Sequence, residues 1–360
     1  MPVLAMPPLW KISREFRRLG RQLGYLSGRP LDRVRNKRYR RNRDKLVRLT
    51  AGMLGPTPKV AIYVLYAPSG VPRSTLVTLE HLRGNGYAPI VISNAPLSTS
   101  DRAELAKTAT AIIERPNFGY DFGAYREGLE YLSTTALAPE YVLMLNDSVW
   151  FPLFSNDDLL HRMEALNVDF AGPVHYRNKR NPAKDHIQSY MMLFRGGLLT
   201  DPRFTSFWNT YELTNNKWAT IRKGEMGLSR HMLRNGLTLG AVFEFGDTVQ
   251  FHNALSDHEL AAVTGYETHL HPELPQLHEG SRTAVARERL SHPAATDYLL
   301  TTHPILSIRH LGLPLAKKDR HQNYQLWRTE FLNLVDSGQV NNVSPEILQE
   351  IRCWDAVKAR

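Results

Sequence analysis

A short polar turn follows a run of apolar residues near the middle of the chain. The run Tyr141–Leu145 has the length and composition of a buried β-strand, and Asn146, Asp147 and Ser148 come directly after it. The carboxyl ends of strands are where open α/β sheets bind ligands. Asp147 is therefore suited to hold Mg²⁺ or Mn²⁺ through oxygen ligands, with phosphate oxygens as further partners. Taken alone, the three polar residues also fit a simple turn or a helix cap.

A second group of chemically useful residues lies between positions 117 and 126, where glycines and aromatic residues alternate. Gly119 and Gly123 permit close approach of the backbone to a ligand. Asp121 could accept hydrogen bonds from the hydroxyls of a ribose or another sugar, and Tyr120 could lie against a base or sugar ring. The same residues also fit a helix N-cap at Asp121 with aromatic side chains in the core.

The elements that must position these residues form a repeating pattern after position 58. Apolar runs predict strands over residues 60–66, 89–93, 111–113 and 141–147, and helical periodicity predicts helices over 74–85, from 101 and through 131. Such strand–helix–strand units imply a parallel α/β sheet with right-handed crossovers. Neither common phosphate-binding glycine motif follows the first strand, which argues against kinases and ordinary dehydrogenases. A metal on Asp147 is then the simplest way to hold phosphate.

Composition is typical of an ordinary folded protein. The 360 residues are 42% hydrophobic and 22% charged, enough for one large α/β domain with appendages or two modest domains. No apolar run approaches the roughly 20 residues that span a bilayer, and the apolar start lacks the charge order of a signal peptide. The single Cys353 excludes an internal disulfide and a cysteine-rich metal site. The expected compartment is the cytoplasm.

The net charge of +10 is concentrated in one segment. Residues 11–48 contain 15 Lys or Arg and three acidic residues, a local charge of +12, so the rest of the chain carries −2. Ile12, Phe16 and Leu19 recur at helical spacing among the arginines, which predicts a basic amphipathic helix. This pattern favours contact with an anionic membrane through residues 10–48 over nucleic acid, for which no binding module is visible. A solvated arm is the remaining alternative.

Five short motifs follow one another within residues 59–250. They are Asn117-x-Gly-Tyr-Asp-Phe-Gly-Ala-Tyr, Leu145-Asn-Asp-Ser-Val, Asp169-Phe-Ala-Gly, His186-Ile-Gln-Ser-Tyr with Phe194-Arg195, and Glu225-x-Gly-Leu-Ser-Arg. Their order and spacing resemble the rhamnan synthesis protein F family of polysaccharide-assembling glycosyltransferases. The resemblance implies a GT-A-like fold, in which helices flank a nucleotide-binding mixed sheet. A basic helical N-terminal arm and a helical C-terminal part would be added to it.

The resemblance also implies an activity. It indicates transfer of a deoxyhexose, typically rhamnose, from a nucleotide-sugar donor to a lipid-linked glycan of a cell-surface polysaccharide or lipopolysaccharide. The expected reaction is a single displacement with inversion, performed by a peripheral enzyme at the inner face of the cell membrane. Two alternatives stay open. One is a nucleotidyl- or phosphosugar transferase that uses the same strand-edge aspartate, and the other is a non-enzymatic basic adaptor that binds glycan or nucleic acid.

The family pattern indicates where the donor would bind. The residues implied for the nucleotide or the donor sugar are Gly119, Tyr120, Asp121, Asn146, Asp147, Ser148 and Asp169. Asp147 is similar to the metal- or diphosphate-binding aspartate of GT-A enzymes. It lacks the two flanking aspartates of their usual Asp-x-Asp, which leaves the need for a divalent cation open. Asp169 would lie at the edge of the donor-sugar pocket, or would simply cap a turn.

Glu225 is the candidate catalytic base. Inverting transfer needs a carboxylate within hydrogen-bond reach of the acceptor hydroxyl, on the side opposite the leaving nucleotide. The sequence predicts that Glu225 opens a helix that ends at Gly236, like the segment that holds the base in inverting GT-A enzymes. An acidic residue in a first helical turn is also favourable for the helix dipole without any catalytic role.

Further residues are candidates for the acceptor and for a cation. His186 and Gln188 begin a strand-like run and could bind the acceptor. His252 is a candidate second metal ligand beside Asp147. The pair Lys317-Lys318 could neutralise the donor diphosphate or a lipid phosphate, or could be a solvated surface pair.

Three parts are predicted along the chain. Residues 1–55 form the basic arm, residues 56–255 the glycosyltransferase domain, and residues 256–360 a loop-rich and helical extension that packs on the catalytic domain.

Overall fold

The computed structural model describes residues 31–135, 137–177, 184–270 and 298–356. The predicted amphipathic helix through Ile12, Phe16 and Leu19 lies outside these ranges.

Within the described ranges, nine strands form one sheet in the order β1-β4-β3-β2-β5-β9-β7-β10, with β8 paired to β7, and two more form a small ribbon. The strands are β1 (Arg48–Ala51), β2 (Lys59–Leu65), β3 (Tyr87–Ser93), β4 (Ala111–Glu114), β5 (Tyr141–Asn146), β6 (Val149–Trp150), β7 (Phe170–Tyr176), β8 (His186–Ile187), β9 (Met191–Arg195), β10 (Leu239–Phe243) and β11 (Ala316–Lys317).

Strand direction changes across the sheet. Strands β2 to β5 run parallel, β1 is antiparallel to β4 at one edge, and β9 is antiparallel to both β5 and β7. Because β5 and β7 both run against β9, they run parallel to each other. The predicted class, a mixed α/β sheet flanked by helices, is confirmed, as are the four strands and three helices predicted between positions 60 and 147.

Helices cover both faces of the sheet. They are α1 over residues 31–46, α2 (Arg73–Gly84), α3 (Thr99–Ala106), α4 (Tyr120–Ser133), α5 (Leu159–Ala165), α6 (Pro202–Thr210), α7 (Lys217–Thr220), α8 (Met226–Arg234), α9 (Asp257–Leu270), α10 (Gln322–Asp336) and α11 (Pro345–Trp354). Alternate residues of β2 enter different cores: Ile62 packs with α4, α6 and α8, whereas Tyr63 packs with α2 and α10. Burial on both faces explains why these strands read as continuous apolar runs.

The C-terminal part of the chain returns to the end of β5. Strand β11 pairs antiparallel with β6, so that Lys317 lies opposite Val149, directly after the polar turn that follows β5. Helix α11 packs against α2. This pairing places a basic segment from the end of the sequence beside Ser148.

The end of the basic segment packs on the sheet domain. Strand β1 completes the edge of the sheet, and α1 buries Asn36 and Tyr39. The Asn36 side chain donates to the Leu213 carbonyl at 2.7 Å, and the Tyr39 hydroxyl donates to Glu127 at 2.9 Å. None of the described helices is both long and apolar enough to cross a bilayer.

Candidate active site

A cavity of about 750 Å³ opens where the parallel strands end. Tyr66, Asn94 and Asn146, which come at or just after the ends of β2, β3 and β5, line it. A volume of this size suits a small-molecule ligand. Of the residues predicted from the sequence, those that line the cavity are Tyr120, Asp121, Asn146, Ser148, His186, Gln188, Glu225, Lys317 and Lys318.

The turn after β5 is held by a set of hydrogen bonds. The Asn146 amide donates to Asp121 Oδ2 at 2.9 Å, and its carbonyl oxygen accepts from the Ser148 backbone N–H at 3.1 Å. The Asp147 carboxylate accepts the backbone N–H of Tyr66 at 2.8 Å. The fold thus joins Asp121 and Asp147, 26 positions apart in sequence, through Asn146.

The start of α4 has an unusual backbone conformation. Gly119 has a φ of +82°, and a Cβ there would come within 2.8 Å of the Leu213 side chain, so this position requires glycine. Its N–H donates to the Asn215 side chain, and the Tyr120 hydroxyl donates to the Asn215 carbonyl. The helix begins at Tyr120 with Gly119 as its N-cap residue, so Asp121 lies in its first turn and is not the N-cap.

The environment of Asp121 disfavours its charged form. Burial, with a further contribution from the negative charge of Asp147, raises the pKa of Asp121 to about 7. Burial also raises the pKa of Asp147, although the hydrogen bond from Tyr66 opposes this. Asp121 lines the cavity, whereas Asp147 is not among the residues that line it.

Replacing Asp121 with Asn is expected to stabilise the fold above pH 7. With a pKa of about 7 in the folded chain and about 4 in the unfolded chain, the folded state binds more protons between these values. The free energy of unfolding of the wild type therefore falls as the pH rises through this range. The variant lacks this loss, so it should be more stable by about 1 to 3 kcal/mol at pH 8 and by almost nothing at pH 4.

Urea unfolding at pH 4 and pH 8 measures this difference. Asp44→Asn is the matched control, because the Asp44 side chain is 98% exposed and should show no such gain at pH 8. An Asp121→Asn variant that is no more stable than the wild type at pH 8 would contradict the assigned environment.

Glu225 lies within a longer helical segment than the sequence predicted. The expectation that Glu225 opens the helix is wrong, because helical structure begins at Lys217 in α7 and continues through a π-helical turn over Ile221–Glu225 into α8. The predicted end is close to the observed one, since α8 stops at Arg234 and Gly236 has a positive φ of +75°. Single π-helical turns within α-helices are frequent at functional sites.

The Glu225 carboxylate has two side-chain partners in the cavity. His186 Nε2 lies 3.0 Å from Oε1, and the Ser189 hydroxyl donates to Oε2 at 2.9 Å. Burial opposes ionisation, but the hydrogen bonds from His186 and Ser189 outweigh it and lower the pKa of Glu225 below its usual value. Glu225 is therefore ionised at neutral pH, the state that a general base requires.

His186 faces an acceptor with each ring nitrogen. Its Nδ1 lies 2.6 Å from the carbonyl oxygen of Lys184, and its Nε2 faces Glu225. A neutral imidazole donates from only one nitrogen. His186 therefore connects the Glu225 carboxylate to the backbone at Lys184 and fixes the orientation of the carboxylate.

Lys317 brings a positive charge into the cavity from the C-terminal part. Its ammonium donates to the Ser148 hydroxyl at 3.0 Å and lies 4.6 Å from the centroid of the Tyr190 ring. Burial lowers the pKa of Lys317, while the charges of Glu225 and Asp121 act in the opposite direction. Lys318 is bound to Ser74 at 2.9 Å. The alternative of a solvated surface pair is thus wrong, because Lys317 lines the cavity and the Lys318 side chain is only 8% exposed and lies 3.2 Å from Glu350.

A buried arginine fixes this lysine segment. Arg328, in α10, is 1% exposed and donates to the carbonyl oxygens of Lys317 and Asp319 at 3.0 and 2.9 Å. Its other nitrogens bind Asp355 at 2.8 and 2.6 Å. Trp354 adds a hydrogen bond to the Lys318 carbonyl. The C-terminal helices thus position the ammonium groups of the cavity.

Asp169 and His252 do not lie with the other candidates. Asp169 precedes β7, which runs parallel to β5, so it is at the sheet edge opposite the cavity. Its carboxylate accepts hydrogen bonds from the backbone N–H and the hydroxyl of Thr238, both at 2.8 Å. Asp169 thus caps a turn, which was the alternative to a role in the donor pocket. His252 is buried and does not line the cavity. In the parts of the chain that the structure describes, no group of three or more His, Cys, Asp or Glu could hold a metal.

Several residues of the cavity were not recognised from the sequence. They include Ser189, which donates a hydrogen bond to Glu225, and the tyrosines Tyr176, Tyr190, Tyr298 and Tyr324. Tyr190 carried a signal, since it belongs to the His186 motif. Tyr298 and Tyr324 lie in sequence without a recognisable pattern.

Comparison with known proteins gives full-length and partial relatives. The uncharacterized protein y4gN of Sinorhizobium fredii (strain NBRC 101917 / NGR234) is 29% identical over 356 residues, covering 96% of this chain and 92% of y4gN. The virulence protein VirA of Vibrio anguillarum is 30% identical over 131 residues, covering 32% of this chain and 36% of VirA.

Two solved structures show a loose structural likeness. The core-mannan synthase A of Aspergillus fumigatus in its Mn/GDP form is 11% identical, covers 52% of this chain and 72% of its own, and has a TM-score of 0.31. The mannosyltransferase PcManGT of Pyrobaculum calidifontis, in complex with GDP-Man and Mn²⁺, is 11% identical, covers 94% and 96%, and has a TM-score of 0.33.

The five motifs fall within a single family match. This match covers residues 89–264, which include the polar turn after β5, the start of α4, the strand with His186, and Glu225. The segment with Lys317 lies outside it. The resemblance seen in the five motifs is thus confirmed: residues 89–264 of this chain match the rhamnan synthesis protein F family.

Proposed function

We propose that this protein is a glycosyltransferase that moves a sugar from a nucleotide-sugar donor to a glycan acceptor. The observation that carries the proposal is the cavity at the carboxyl ends of the strands, where Asp121, Glu225 and Lys317 meet. A carboxylate base, a cation for phosphate and hydrogen-bonding groups for hydroxyls are the parts that such a transfer needs. The match to the rhamnan synthesis protein F family supports it.

The donor diphosphate would bind beside the turn that follows β5. Lys317 contacts Ser148 there and brings its ammonium group to the incoming phosphates, whereas the ammonium group of Lys318 is held by Ser74 and Glu350. The charge that develops on the leaving nucleoside diphosphate would be stabilised by Lys317. Tyr120 and Asp121, at the start of α4, would contact the nucleoside or the donor sugar.

A divalent cation fits this part of the cavity. Asp121 and Asp147 supply two carboxylates whose charged forms burial disfavours, and a cation would compensate this cost. Mg²⁺ and Mn²⁺ accept such oxygen ligands and take the remainder from water and phosphate. When bound, the cation would neutralise charge on the diphosphate. Asp147 does not itself line the cavity but accepts the backbone N–H of Tyr66, which does, whereas His252 is not among the lining residues and is left out of this set.

Glu225 would act as the base toward the acceptor. The acceptor oxygen forms a bond to the anomeric carbon of the donor, and the bond from that carbon to the phosphate oxygen breaks. The electron pair leaves with the nucleoside diphosphate, and the acceptor hydroxyl proton passes to Glu225. His186 and Ser189 orient the carboxylate, and Gln188 lines the adjoining wall. A base on the side opposite the leaving group gives inversion.

The family resemblance refines the substrates within this proposal. The donor sugar is a deoxyhexose, rhamnose by the family's name, and the acceptor is a growing lipid-linked glycan of a cell-surface polysaccharide or lipopolysaccharide. Single side chains decide such specificity, because a site built to bind a given hydroxyl rejects the sugar that lacks it.

The exposed side of α1 supports contact with an anionic membrane. Asn36 and Tyr39 face the domain, whereas Leu31 and Val34 are 58% and 64% exposed among arginines and lysines. Apolar side chains among basic ones suit the surface of an anionic bilayer.

A vesicle flotation assay tests this contact. The protein should float together with vesicles that contain phosphatidylglycerol and should not float with vesicles of pure phosphatidylcholine. Equal behaviour with both vesicles would exclude this contact.

A ligand screen tests the proposed function. The melting temperature of the full chain is measured with UDP, GDP, dTDP and CMP, each with and without Mg²⁺ or Mn²⁺. One nucleotide should raise it selectively, because a ligand that binds only the folded state stabilises it. Asp147→Asn should weaken this shift, and Asp44→Asn, at an exposed position, should not.

The products then separate the enzyme classes. Incubation with the matching nucleotide sugar and a glycan acceptor should release the nucleoside diphosphate, whereas nucleotidyl transfer would break the link between the α- and β-phosphates. If none of the nucleotides changes the melting temperature, the proposal is wrong.

A further inference from the structure

Beyond the residues used above, one wall of the cavity is rich in tyrosine. Tyr176, Tyr298 and Tyr324 contact one another in series, with ring centroids 6.4 Å and 6.3 Å apart. The Tyr176 ring also lies 5.0 Å from the ring of His186, the partner of Glu225. We call these three residues, together with Tyr190, the tyrosine wall. It begins beside the proposed base.

Two buried polar atoms in this region have no partner within the described part of the chain. They are the hydroxyl of Tyr190 and the side-chain carbonyl oxygen of Gln188. Both side chains line the cavity, although Tyr190 is only 2% and Gln188 only 9% exposed. Unpaired buried polar groups are costly, and a site where a ligand completes them is a common reason to keep them.

The position of these atoms relates them to the reaction. Ser189, which lies between Gln188 and Tyr190 in sequence, donates its hydroxyl hydrogen bond to Glu225. The two unpaired atoms therefore flank the residue that orients the proposed base. A molecule that satisfies them would have its own hydroxyls near Glu225.

We propose that the tyrosine wall binds one uncharged pyranose ring of the acceptor glycan. This inference rests on the proposed glycosyl transfer. The C–H face of a pyranose packs on aromatic rings, and its hydroxyls carry both donors and acceptors for Gln188 and Tyr190. Lys317 lies at the Tyr190 ring, 4.6 Å from its centroid, and marks where the charged diphosphate begins.

Two parts of the chain contribute residues to the tyrosine wall. Tyr298 and Tyr324 lie outside residues 89–264, the range that matches the family, and flank the segment that carries Lys317. The matched range supplies Glu225, Asp121 and the turn after β5, and the C-terminal segment supplies Lys317. The C-terminal segment would then contribute to the choice of acceptor.

The test measures sugar binding separately from nucleotide binding. Methyl α-L-rhamnopyranoside and methyl α-D-mannopyranoside are titrated into the full chain, and their binding is followed by saturation-transfer difference NMR. The melting shift with the nucleotides of the screen is measured on the same samples. The variants are Tyr190→Phe and Gln188→Ala, with Tyr87→Phe as the matched control. The Tyr87 hydroxyl is paired with Glu164, and Tyr87 begins β3 at the opposite edge of the sheet.

Tyr190→Phe has a specific expected signature. Because it removes an unpaired buried hydroxyl, the melting temperature should stay the same or rise, while glycoside binding weakens about 3- to 10-fold. Gln188→Ala should weaken glycoside binding by a similar factor. The nucleotide shift should be unchanged in both variants. Tyr87→Phe should lower the melting temperature and leave glycoside binding as it is.

The outcomes separate this inference from the proposed function. If nucleotide binds but no glycoside does, or if Tyr190→Phe and Gln188→Ala bind glycoside like the wild type, the inference is wrong and the transferase proposal stands. A glycoside that the nucleotide sugar displaces and the nucleoside diphosphate does not would occupy the donor-sugar position and would also overturn the inference. If neither nucleotide nor glycoside binds, the proposed function fails, and the acceptor subsite with it.

Discussion

Glu225→Gln is expected to lower the rate of sugar transfer about 10²- to 10⁴-fold, the range typical for removal of a general base. The amide keeps the size of the side chain and can still accept the hydrogen bond from Ser189, but it cannot take up the acceptor proton. The nucleotide should bind as before, because Lys317 and the turn after β5 are unchanged. Initial rates at saturating donor, combined with nucleotide melting shifts, measure the two effects separately.

The control for this variant is Glu104→Gln. Glu104 forms an exposed ion pair with Lys107 on α3, so it tests the loss of one negative charge away from the cavity. We expect transfer by Glu104→Gln to equal that of the wild type. A Glu225→Gln enzyme that retains more than about a tenth of the wild-type rate would remove Glu225 from the role of base.

The pH dependence of transfer follows from the same carboxylate. Its lowered pKa means that Glu225 loses its charge only in acid, so activity that depends on this residue should fall toward low pH and stay level through neutrality. His186 helps to hold that charge through the hydrogen bond at 3.0 Å. The residual transfer rate of the Glu225→Gln variant should not show this fall toward low pH.

Lys317→Met is expected to weaken binding of the nucleoside diphosphate about 10- to 100-fold, in line with the loss of hydrogen bonds from a charged donor. Methionine keeps most of the length of the side chain and the contact with the Tyr190 ring, and removes the charge. Removal of the ammonium also takes away a positive charge that favours ionised Asp121. Isothermal titration with the nucleotide identified by the screen gives the dissociation constant.

Lys107→Met is the matched control, because Lys107 is an exposed lysine whose side chain is 60% accessible. It should bind nucleotide like the wild type. An unchanged dissociation constant in Lys317→Met would show that the diphosphate binds elsewhere in the cavity. Unfolding curves of both variants confirm that the comparison is made on folded protein.

Much of the fold could be predicted from the sequence because its signals are local. The strands β2, β3 and β5 are buried on both faces, so they appear as unbroken apolar runs between turn residues. The polar turn after β5 could be predicted for the same reason, because the end of an apolar run shows where the strand ends and the next polar side chains begin. Candidate residues tied to such strand ends, such as Asn146 and Ser148, lie in the cavity.

Predictions that depended on pairing between distant segments were less successful. Asp169 was expected in the donor pocket, but strand direction decides which edge of a sheet a residue occupies, and the direction of β7 follows from its pairing with β9. Glu225 was placed at a helix start, because the sequence after it has a clear helical pattern. The preceding turns from Lys217 carry only weak signals of their own.

The sequence by itself determined the parallel β2 to β5 core, the polar turn at its edge and the candidacy of Glu225. Only the tertiary structure decided that Lys317 faces Ser148, that Glu225 pairs with His186, and that Tyr298 and Tyr324 close the cavity. The physical reason is the range of the interactions. Apolar periodicity and turn formers act within a few residues, whereas these contacts join segments 39 to 169 positions apart and arise only when β11 pairs with β6 and the helices pack.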